Sequence, residues 1–223
     1  MKIQVVLFDG FDMLDVIAPF EVLGGASILA LGEASVQFVS AEGRGKVQSG
    51  MYRVELEATG QLDPNEAGII VIPGGAGDMQ GDGPGSILAY LKQASESALK
   101  PLMQQAMDNP EVIVATVCGG STVLGMMGLL QGRHAVTHHL GIDTLPALGA
   151  IPVRARVVDD GNLVSSGGVT SGIDLAMYLA ERIWGSPIST ELESVFEHER
   201  RGTVWKREEA RSVAGLPLAS GDR

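Results

Sequence analysis

Residues 112–121 read V-I-V-A-T-V-C-G-G-S, an apolar run that ends at Cys118 and continues at once into two glycines. The run is short, continuous and rich in β-branched residues, which is typical of a strand buried on both faces of a parallel sheet. Residues 120–130 have the composition of a helix. A strand that passes into a helix through Cys-Gly-Gly predicts a nucleophile elbow, the sharp turn that exposes one side chain at the edge of a sheet.

Working outward from this stretch, apolar runs alternate with segments of helical spacing. This alternation predicts one α/β domain, with a mainly parallel sheet covered by helices on both faces. Further strands are expected at 3–8, 35–41, 69–75 and 135–137, and hairpins at 47–57 and 153–168. Helices are expected from Leu14 and at 120–130, 140–148, 170–185 and 188–200, and residues 87–107 predict either one helix or two helices broken at Pro101. We assign residues 1–201 to this domain and expect 202–223 to be a polar, partly disordered tail.

Composition narrows the classes of function. The 223 residues carry a formal net charge of −11, which argues against nucleic-acid binding because a phosphate backbone would be repelled. A single cysteine fits a reducing compartment. The start, MKIQVVLFDG, does not resemble a signal peptide, and no run approaches the roughly 20 apolar residues of a membrane span. We therefore expect a cytoplasmic protein with no membrane partner.

Cys118 is the strongest candidate for chemistry. In an elbow, small neighbours make room for the turn, and the nucleophile often has a strained backbone. The N-terminus of the next helix favours a thiolate, so we expect the pKa of Cys118 to lie below its free value. The alternative is a buried structural cysteine, a common fate of a free thiol.

Asp15 is the candidate partner of Cys118. It opens the helix that follows the first strand, and the carboxyl ends of parallel strands share one edge of a sheet. A carboxyl group beside a thiolate has a raised pKa and can exchange a proton at neutral pH. The alternative is an acid that only caps the helix. Asp9, Asp12 and Glu21 compete for the same role.

Two further clusters are candidates for binding. Residues 73–77, P-G-G-A-G, end another strand, and their backbone N–H groups can form an oxyanion hole or simply a tight loop. The spacing matches neither a phosphate loop nor a dinucleotide motif. His134, His138 and His139 lie close in sequence, but they lack the spacing and further ligands of a metal site, so no metal is expected. A structural role is the simpler interpretation, although one of the adjacent pair could reach the pocket.

Together these motifs resemble the ThiJ/PfpI superfamily, which is related to class I glutamine amidotransferases. The resemblance spans about residues 1–186. It rests on P-G-G-A-G at 73–77, V-C-G-G-S at 117–121, V-L-G-M-M-G-L-L-Q-G-R at 123–133, G-A-I-P-V at 149–153, D-G-N-L at 160–163 and G-G-V-T-S-G-I-D-L-A at 167–176. It implies a flavodoxin-like fold.

Within that superfamily the segment L-D-V-I-A-P, residues 14–19, looks like the L-D-x-x-x-P of isonitrile hydratases. That branch implies hydration of an isonitrile to an N-substituted formamide without a cofactor. It implies Cys118 as nucleophile, Asp15 as its acid, and the backbones of Gly74, Gly75 and Gly119 as substrate or oxyanion donors. It also implies a small-molecule substrate and a homodimer with the cysteine near the subunit interface.

This sequence departs from the hydratase pattern at two places. Gly119 stands where those enzymes usually carry threonine, and residues 194–200 read S-V-F-E-H-E-R in place of a segment rich in tyrosine and proline. A glyoxalase, deglycase or amidase therefore remains an alternative, as does a non-enzymatic redox or stress sensor. The Cys-His pair of the peptidase branch is absent, and the residues after 186 are too few for the DNA-binding module of the regulators.

Overall fold

The structure is a computed structural model that describes residues 1–207. The strands are β1 (Lys2–Val6), β2 (Ser35–Ser40), β3 (Gly45–Gln48), β4 (Glu55–Ala58), β5 (Gly60–Gln61), β6 (Gly68–Ile72), β7 (Val112–Thr116), β8 (His134–Ala135), β9 (Ile151–Pro152), β10 (Val157–Asp159), β11 (Leu163–Ser166) and β12 (Val204–Lys206). The α-helices are α1 (Met13–Leu29), α2 (Ile87–Glu96), α3 (Leu99–Asp108), α4 (Gly120–Met126), α5 (Ser171–Trp184) and α6 (Ser186–Val195). A 3₁₀ helix covers Ile142–Leu148.

Eight strands form the main sheet in the order β12-β10-β11-β7-β6-β1-β2-β5. Only β10 and β11 pair antiparallel within it. The central order β2-β1-β6-β7-β11 is the 2-1-3-4-5 arrangement of the flavodoxin-like fold, as expected. Both predicted hairpins are confirmed: β3 pairs antiparallel with β4, and β10 turns into β11.

Helices cover the sheet in two layers. Helix α1 packs against α5 and α6, and α2 packs against α3 and α4. The central strands read as continuous apolar runs because they are covered on both sides, and all five residues of β6 are buried. Because the central strands are buried on both faces, their continuous apolar runs predicted them directly. Among residues 1–207, no helix combines the length and apolar content needed to cross a bilayer.

Prolines lie in two of the helices that differ in detail from the prediction. The segment 87–107 forms two helices, which was one of the two predicted alternatives, but they are separated at Ser97 and Ala98, and Pro101 lies in the first turn of α3. A proline is tolerated there because first-turn N–H groups have no partner within the helix. The helix expected at 140–148 is a 3₁₀ helix that contains Pro146. The last predicted helix is shorter than expected and ends at Val195.

The predicted tail, residues 202–223, begins too early, because residues 204–206 form the strand β12. β12 pairs in parallel with β10, and Trp205 packs on the ring of His134 with the ring centroids 4.7 Å apart. Three residues suffice for this pairing, too few to show a periodic pattern in the sequence. The remainder of the predicted tail, 208–223, lies outside the described residues.

Candidate active site

Three strand ends and the start of α1 meet at one edge of the sheet. The loop after β6 bridges the loop after β1: Asp12 N–H donates to the Gly74 carbonyl at 3.0 Å, and Ala76 N–H donates to the Gly10 carbonyl at 3.0 Å. Cys118 follows β7 at the same edge. The residues expected from the sequence are therefore brought together, as the strand-end rule for open α/β sheets predicts.

Cys118 adopts the strained conformation of an elbow. Its φ is +53°, in the left-handed region that non-glycine residues rarely occupy. Both of its backbone polar groups are held. The N–H donates to the Gly167 carbonyl at 2.9 Å, and the carbonyl accepts a hydrogen bond from the Thr137 hydroxyl at 2.7 Å. Thr137 also lies 3.1 Å from the hydroxyl of Thr122. These buried hydrogen bonds fix the strained turn.

Glycine is required after the elbow, which leads to a stability prediction. A Cβ on Gly120 would lie 2.3 Å from the backbone carbonyl oxygen of Ile72, at the end of the buried strand β6, so relief of the clash requires a shift of backbone. We expect Gly120→Ala to lower the free energy of unfolding by about 3 kcal/mol, the upper end for an overpacked site. Gly24→Ala is the control, because nothing lies within 4 Å of a Cβ there, and alanine in helix α1 should gain about 0.5–1 kcal/mol. Urea unfolding of both variants measures the difference; equal stabilities would contradict the close approach.

Asp15 is the buried carboxyl of the site. It has no exposed surface, whereas Asp9 and Glu21 are exposed. Its Oδ2 accepts a hydrogen bond from Gly74 N–H at 2.8 Å. Its Oδ1 is buried and has no hydrogen-bond partner among residues 1–207. A buried unpaired oxygen is costly, and such groups cluster where chemistry needs them.

The Asp15 and Cys118 groups oppose each other's ionisation. Burial and then the charge of Asp12 raise the pKa of Asp15 well above its usual 3.8. Burial, followed by the charge of Asp15, raises the pKa of Cys118 to about 12. The expectation of a lowered thiol pKa is therefore wrong. N–H groups of Val169 and Gly119 do favour the thiolate, but desolvation and the neighbouring carboxylate outweigh them. Such a pair shares a proton, which either group can carry.

The raised pKa of Asp15 predicts a stability change that depends on pH. The folded protein keeps the Asp15 proton to higher pH than the unfolded chain does, so this group lowers stability as the pH rises from about 4 through its folded-state pKa. We expect Asp15→Asn to raise the melting temperature at pH 8 by at least about 2 °C, and by less at pH 4. Calorimetry at both pH values measures this, with Glu21→Gln as the exposed control on α1. An equal gain at both pH values would contradict the assignment.

The backbone N–H groups around the thiol differ in their availability. Gly74 was predicted as an oxyanion donor, but its N–H is taken by Asp15, so it positions the acid instead. Gly75 lies opposite Phe11 in an antiparallel β-bridge whose hydrogen bonds are made by the adjacent residues. The N–H of Gly75 itself has no hydrogen-bond partner among the described residues. Gly119 N–H points at the Cys118 sulfur. Gly75 and Gly119 both border the pocket and remain candidate donors.

The thiol opens into a pocket of about 380 Å³. Cys118 forms part of its wall, although only 8% of the residue is exposed. Asp12 and His138 are its titratable neighbours there, and no lysine or arginine of the described chain lines the pocket. Seven large apolar side chains line it: Met51, Met79, Ile87, Leu88, Leu91, Leu140 and Val169.

This geometry can be compared with known proteins. The model of the DJ-1/PfpI family matches residues 1–182. The chain belongs to the DJ-1/PfpI family. It is 37% identical over 185 residues to the isonitrile hydratase of Pseudomonas putida, covering 83% of this chain and 73% of that protein. It is 27% identical over 168 residues to a deglycase of Thermococcus kodakarensis, covering 74% of this chain and 89% of that one.

Solved structures of the DJ-1/PfpI family share the fold. A THiJ/PfpI family protein from Pseudomonas syringae superposes with a TM-score of 0.73 at 22% identity, covering 99% of this chain and 78% of that one. DJ-1beta of Drosophila melanogaster gives a TM-score of 0.70 at 20% identity, covering 89% and 98%. The flavodoxin-like expectation is thereby confirmed.

Within this DJ-1/PfpI site, two residues were missed by the sequence reasoning. Val169 reaches the thiol with its N–H and has a φ of +40°. Thr137 holds the elbow carbonyl. A β-branched residue with positive φ after two glycines leaves no pattern in a single sequence, since φ depends on tertiary contacts. Predicting that Thr137 and His138 lie at the site would have required placing β8 beside the elbow.

The histidines do not form a metal site in the described chain. No group of three or more His, Cys, Asp or Glu side chains able to hold a metal occurs among residues 1–207. His134 instead contacts Asp160 at 3.1 Å. His138 packs on His139, accepts the Leu140 N–H at Nδ1, and has a pKa lowered by burial, which keeps it neutral. His138 borders the pocket, whereas His139 is exposed.

Proposed function

We propose that this protein is a cysteine-dependent hydratase that converts an isonitrile to an N-substituted formamide. The observation that carries the proposal is the buried Asp15 carboxyl beside the Cys118 thiol at the wall of an apolar pocket. Its unpartnered Oδ1 leaves one oxygen free to hold or receive a proton. The 37% identity to an isonitrile hydratase supports the same reaction.

The first step forms a carbon–sulfur bond. The Cys118 thiolate attacks the terminal carbon of R–N≡C, and that carbon takes the proton held by Asp15. The product is a covalent thioimidate, R–N=CH–S–Cys118, beside an ionised Asp15. The shared proton of the pair makes this possible, because thiolate and carboxylic acid are one of its two protonation states.

The second step adds water. Ionised Asp15 removes a proton from water as the oxygen bonds to the thioimidate carbon, and it then delivers that proton to the substrate nitrogen. The resulting R–NH–CH(OH)–S–Cys118 collapses as Asp15 takes the hydroxyl proton and the carbon–sulfur bond breaks. R–NH–CHO leaves, and the thiolate and the carboxylic acid are restored. The only co-reactant is water.

Backbone N–H groups act on the charges of this sequence. Gly119 and Val169 point at the sulfur and would stabilise the departing thiolate. Gly75, with its N–H unpaired in the described chain, is positioned at the pocket to hold the oxygen that water brings. Fixed donors of this kind cost no reorganisation during reaction.

The assay that tests the proposal is product formation by purified full-length protein. Incubation with cyclohexyl isonitrile should yield N-cyclohexylformamide, measured by chromatography with mass detection, and ¹⁸O-water should place one labelled oxygen in the product. Turnover of no member of a panel of alkyl and aryl isonitriles would refute the proposal.

A glyoxalase or deglycase is the second candidate, favoured by the 27% identity to the deglycase of T. kodakarensis. Its carbonyl substrates are polar, and the pocket walls are mostly apolar. Loss of methylglyoxal, followed beside the isonitrile assay, separates the two reactions.

A redox sensor would need a thiol that peroxide can reach as thiolate. The Cys118 residue is only 8% exposed, and this burial limits the access of peroxide to its sulfur. A product about 32 Da heavier after mild peroxide, the mass of two oxygen atoms, would nevertheless favour the sensor. The homodimer and the cytoplasmic location stay predictions; analytical ultracentrifugation of the full chain measures the first.

A further inference from the structure

Leu91 covers the two glycines that flank the reacting sulfur. A Cβ on Gly119 would lie 3.1 Å from Cδ1 and 3.2 Å from Cδ2 of Leu91, and a Cβ on Gly75 would lie 3.4 Å from Cδ2. The leucine side chain thus occupies the space that a larger residue at 119 would need. It is 6% exposed and lies in the middle of α2, so its position is set by packing.

The space beside Cys118 is consequently bounded, on the side of Gly75 and Gly119, by the methyl groups of Leu91. Leu91 is the large buried side chain of the pocket that contacts both candidate donor glycines. Other apolar side chains of the wall are more exposed, including Met79, Leu88 and Leu140. A ligand that covers them removes apolar surface from water.

The charged groups around the pocket also favour an apolar substrate. Asp12 lines the pocket and Asp15 lies beside the thiol, and no lysine or arginine of the described residues lines the pocket. An anionic substituent would lose its hydration and face these acids without a partner. An apolar substituent incurs neither cost.

We propose that Leu91 is the specificity-determining residue of this site, and that the substrate carries an apolar substituent which packs against Leu91 beside Cys118. The assignment of an isonitrile as that substrate rests on the proposed function. The role of Leu91 in selecting size and charge does not, because it concerns access to the sulfur by any electrophile.

Competing substrates test the proposal in the full chain. The wild type should favour n-propyl isonitrile over the similarly sized anion isocyanoacetate by at least about tenfold in kcat/KM. Leu91→Ala should shift the kcat/KM ratio of 1-adamantyl to n-propyl isonitrile towards adamantyl by at least about tenfold. Leu91→Val should shift it in the same direction by less, and provides the measurement if the alanine variant does not fold. Ratios within twofold of the wild type in the folded variants would overturn the proposal.

Two leucine controls locate the effect. Leu88→Ala, on the same helix but at the more exposed rim, should change KM for both substrates with little change in their ratio. Leu31→Ala is a remote control, since Leu31 is almost fully exposed after α1. A shift in Leu88→Ala as large as in Leu91→Ala would contradict the assignment to Leu91.

Thiol modification separates this inference from the proposed reaction. Alkyl methanethiosulfonates transfer their alkylthio group to the Cys118 thiolate, forming a mixed disulfide and releasing methanesulfinate. Propyl methanethiosulfonate should react at least about tenfold faster than its 2-sulfonatoethyl analogue, and Leu91→Ala should accelerate a cyclohexyl reagent relative to propyl. Selectivity without isonitrile turnover would refute the hydratase but support Leu91. Turnover without either selectivity would refute the role of Leu91 alone.

Discussion

Replacing Cys118 by alanine is expected to lower turnover of cyclohexyl isonitrile by at least about 1,000-fold, because the chain has no second cysteine to attack the substrate carbon. Cys118→Ser should be nearly as inactive, since a buried hydroxyl ionises far less readily than a thiol. Formamide production by each variant measures the loss. Intact mass of the wild type, quenched during turnover, should show a thioimidate adduct equal to the mass of the substrate.

A loss of activity caused by misfolding must be distinguished from one caused by the missing nucleophile. Ser194→Ala, an exposed change on α6, is the matched control and should keep full activity. Melting curves of Cys118→Ala should show that it folds, because alanine removes the ionic conflict between the thiol and Asp15, whereas the backbone strain at residue 118 is unchanged since alanine keeps the Cβ. A folded Cys118→Ala variant that keeps more than about a tenth of the wild-type activity would exclude covalent catalysis by this residue.

The elbow could be predicted because its signals are local. A buried parallel strand reads as an unbroken apolar run, and Cys118 stands where that run stops before small residues and a helix. Asp15 could be placed by topology, since the carboxyl ends of β1 and β7 meet at one edge. The alternation of strands and helices predicted a mainly parallel sheet, and the resemblance to a known family implied the flavodoxin-like fold.

The direction of the thiol pKa could not be predicted in the same way. A helix N-terminus is visible in the sequence, but burial is a property of the assembled site. Leu91 comes from α2 and the N–H of Val169 from the loop before α5, so the surroundings of the sulfur are drawn from distant segments. Desolvation then outweighs the local effect of the helix. The hydrogen bond from Gly74 N–H to the Asp15 carboxyl could not be predicted for the same reason, because the two residues are 59 positions apart in the sequence.

The edge of the sheet shows a second limit. β12 is held by pairing with β10 and by the contact of Trp205 with His134, neither of which depends on a repeated pattern within residues 204–206. A three-residue strand at an edge carries too few side chains for periodicity to show. Polar composition after Gly202 therefore suggested a tail where the structure has a strand.

Replacing Asp15 by asparagine is expected to change catalysis and thiol reactivity in opposite directions. Turnover should fall by about 10²–10⁴-fold, because asparagine cannot deliver or receive the proton in either step. The charge of Asp15 helps to raise the pKa of Cys118, so its removal should lower that pKa and increase the thiolate fraction at pH 8. Alkylation by iodoacetamide should then be faster than in the wild type, since the gain in thiolate outweighs the smaller loss of nucleophilicity.

Asp12→Asn is the comparison variant for the opposite changes in turnover and thiol reactivity that we expect of Asp15→Asn. Asp12 also raises the pKa of Cys118, but it contributes less than Asp15, so its removal should accelerate alkylation less. Asp12 is not buried beside the sulfur, and it caps α1 through the N–H of Leu14. Stopped-flow alkylation of the three proteins at pH 8, beside their turnover numbers, makes the measurement. If alkylation and turnover both fell in Asp15→Asn, proton acceptance by Asp15 would outweigh its charge in setting the thiolate fraction, and the expected gain in thiolate on removing that charge would be contradicted.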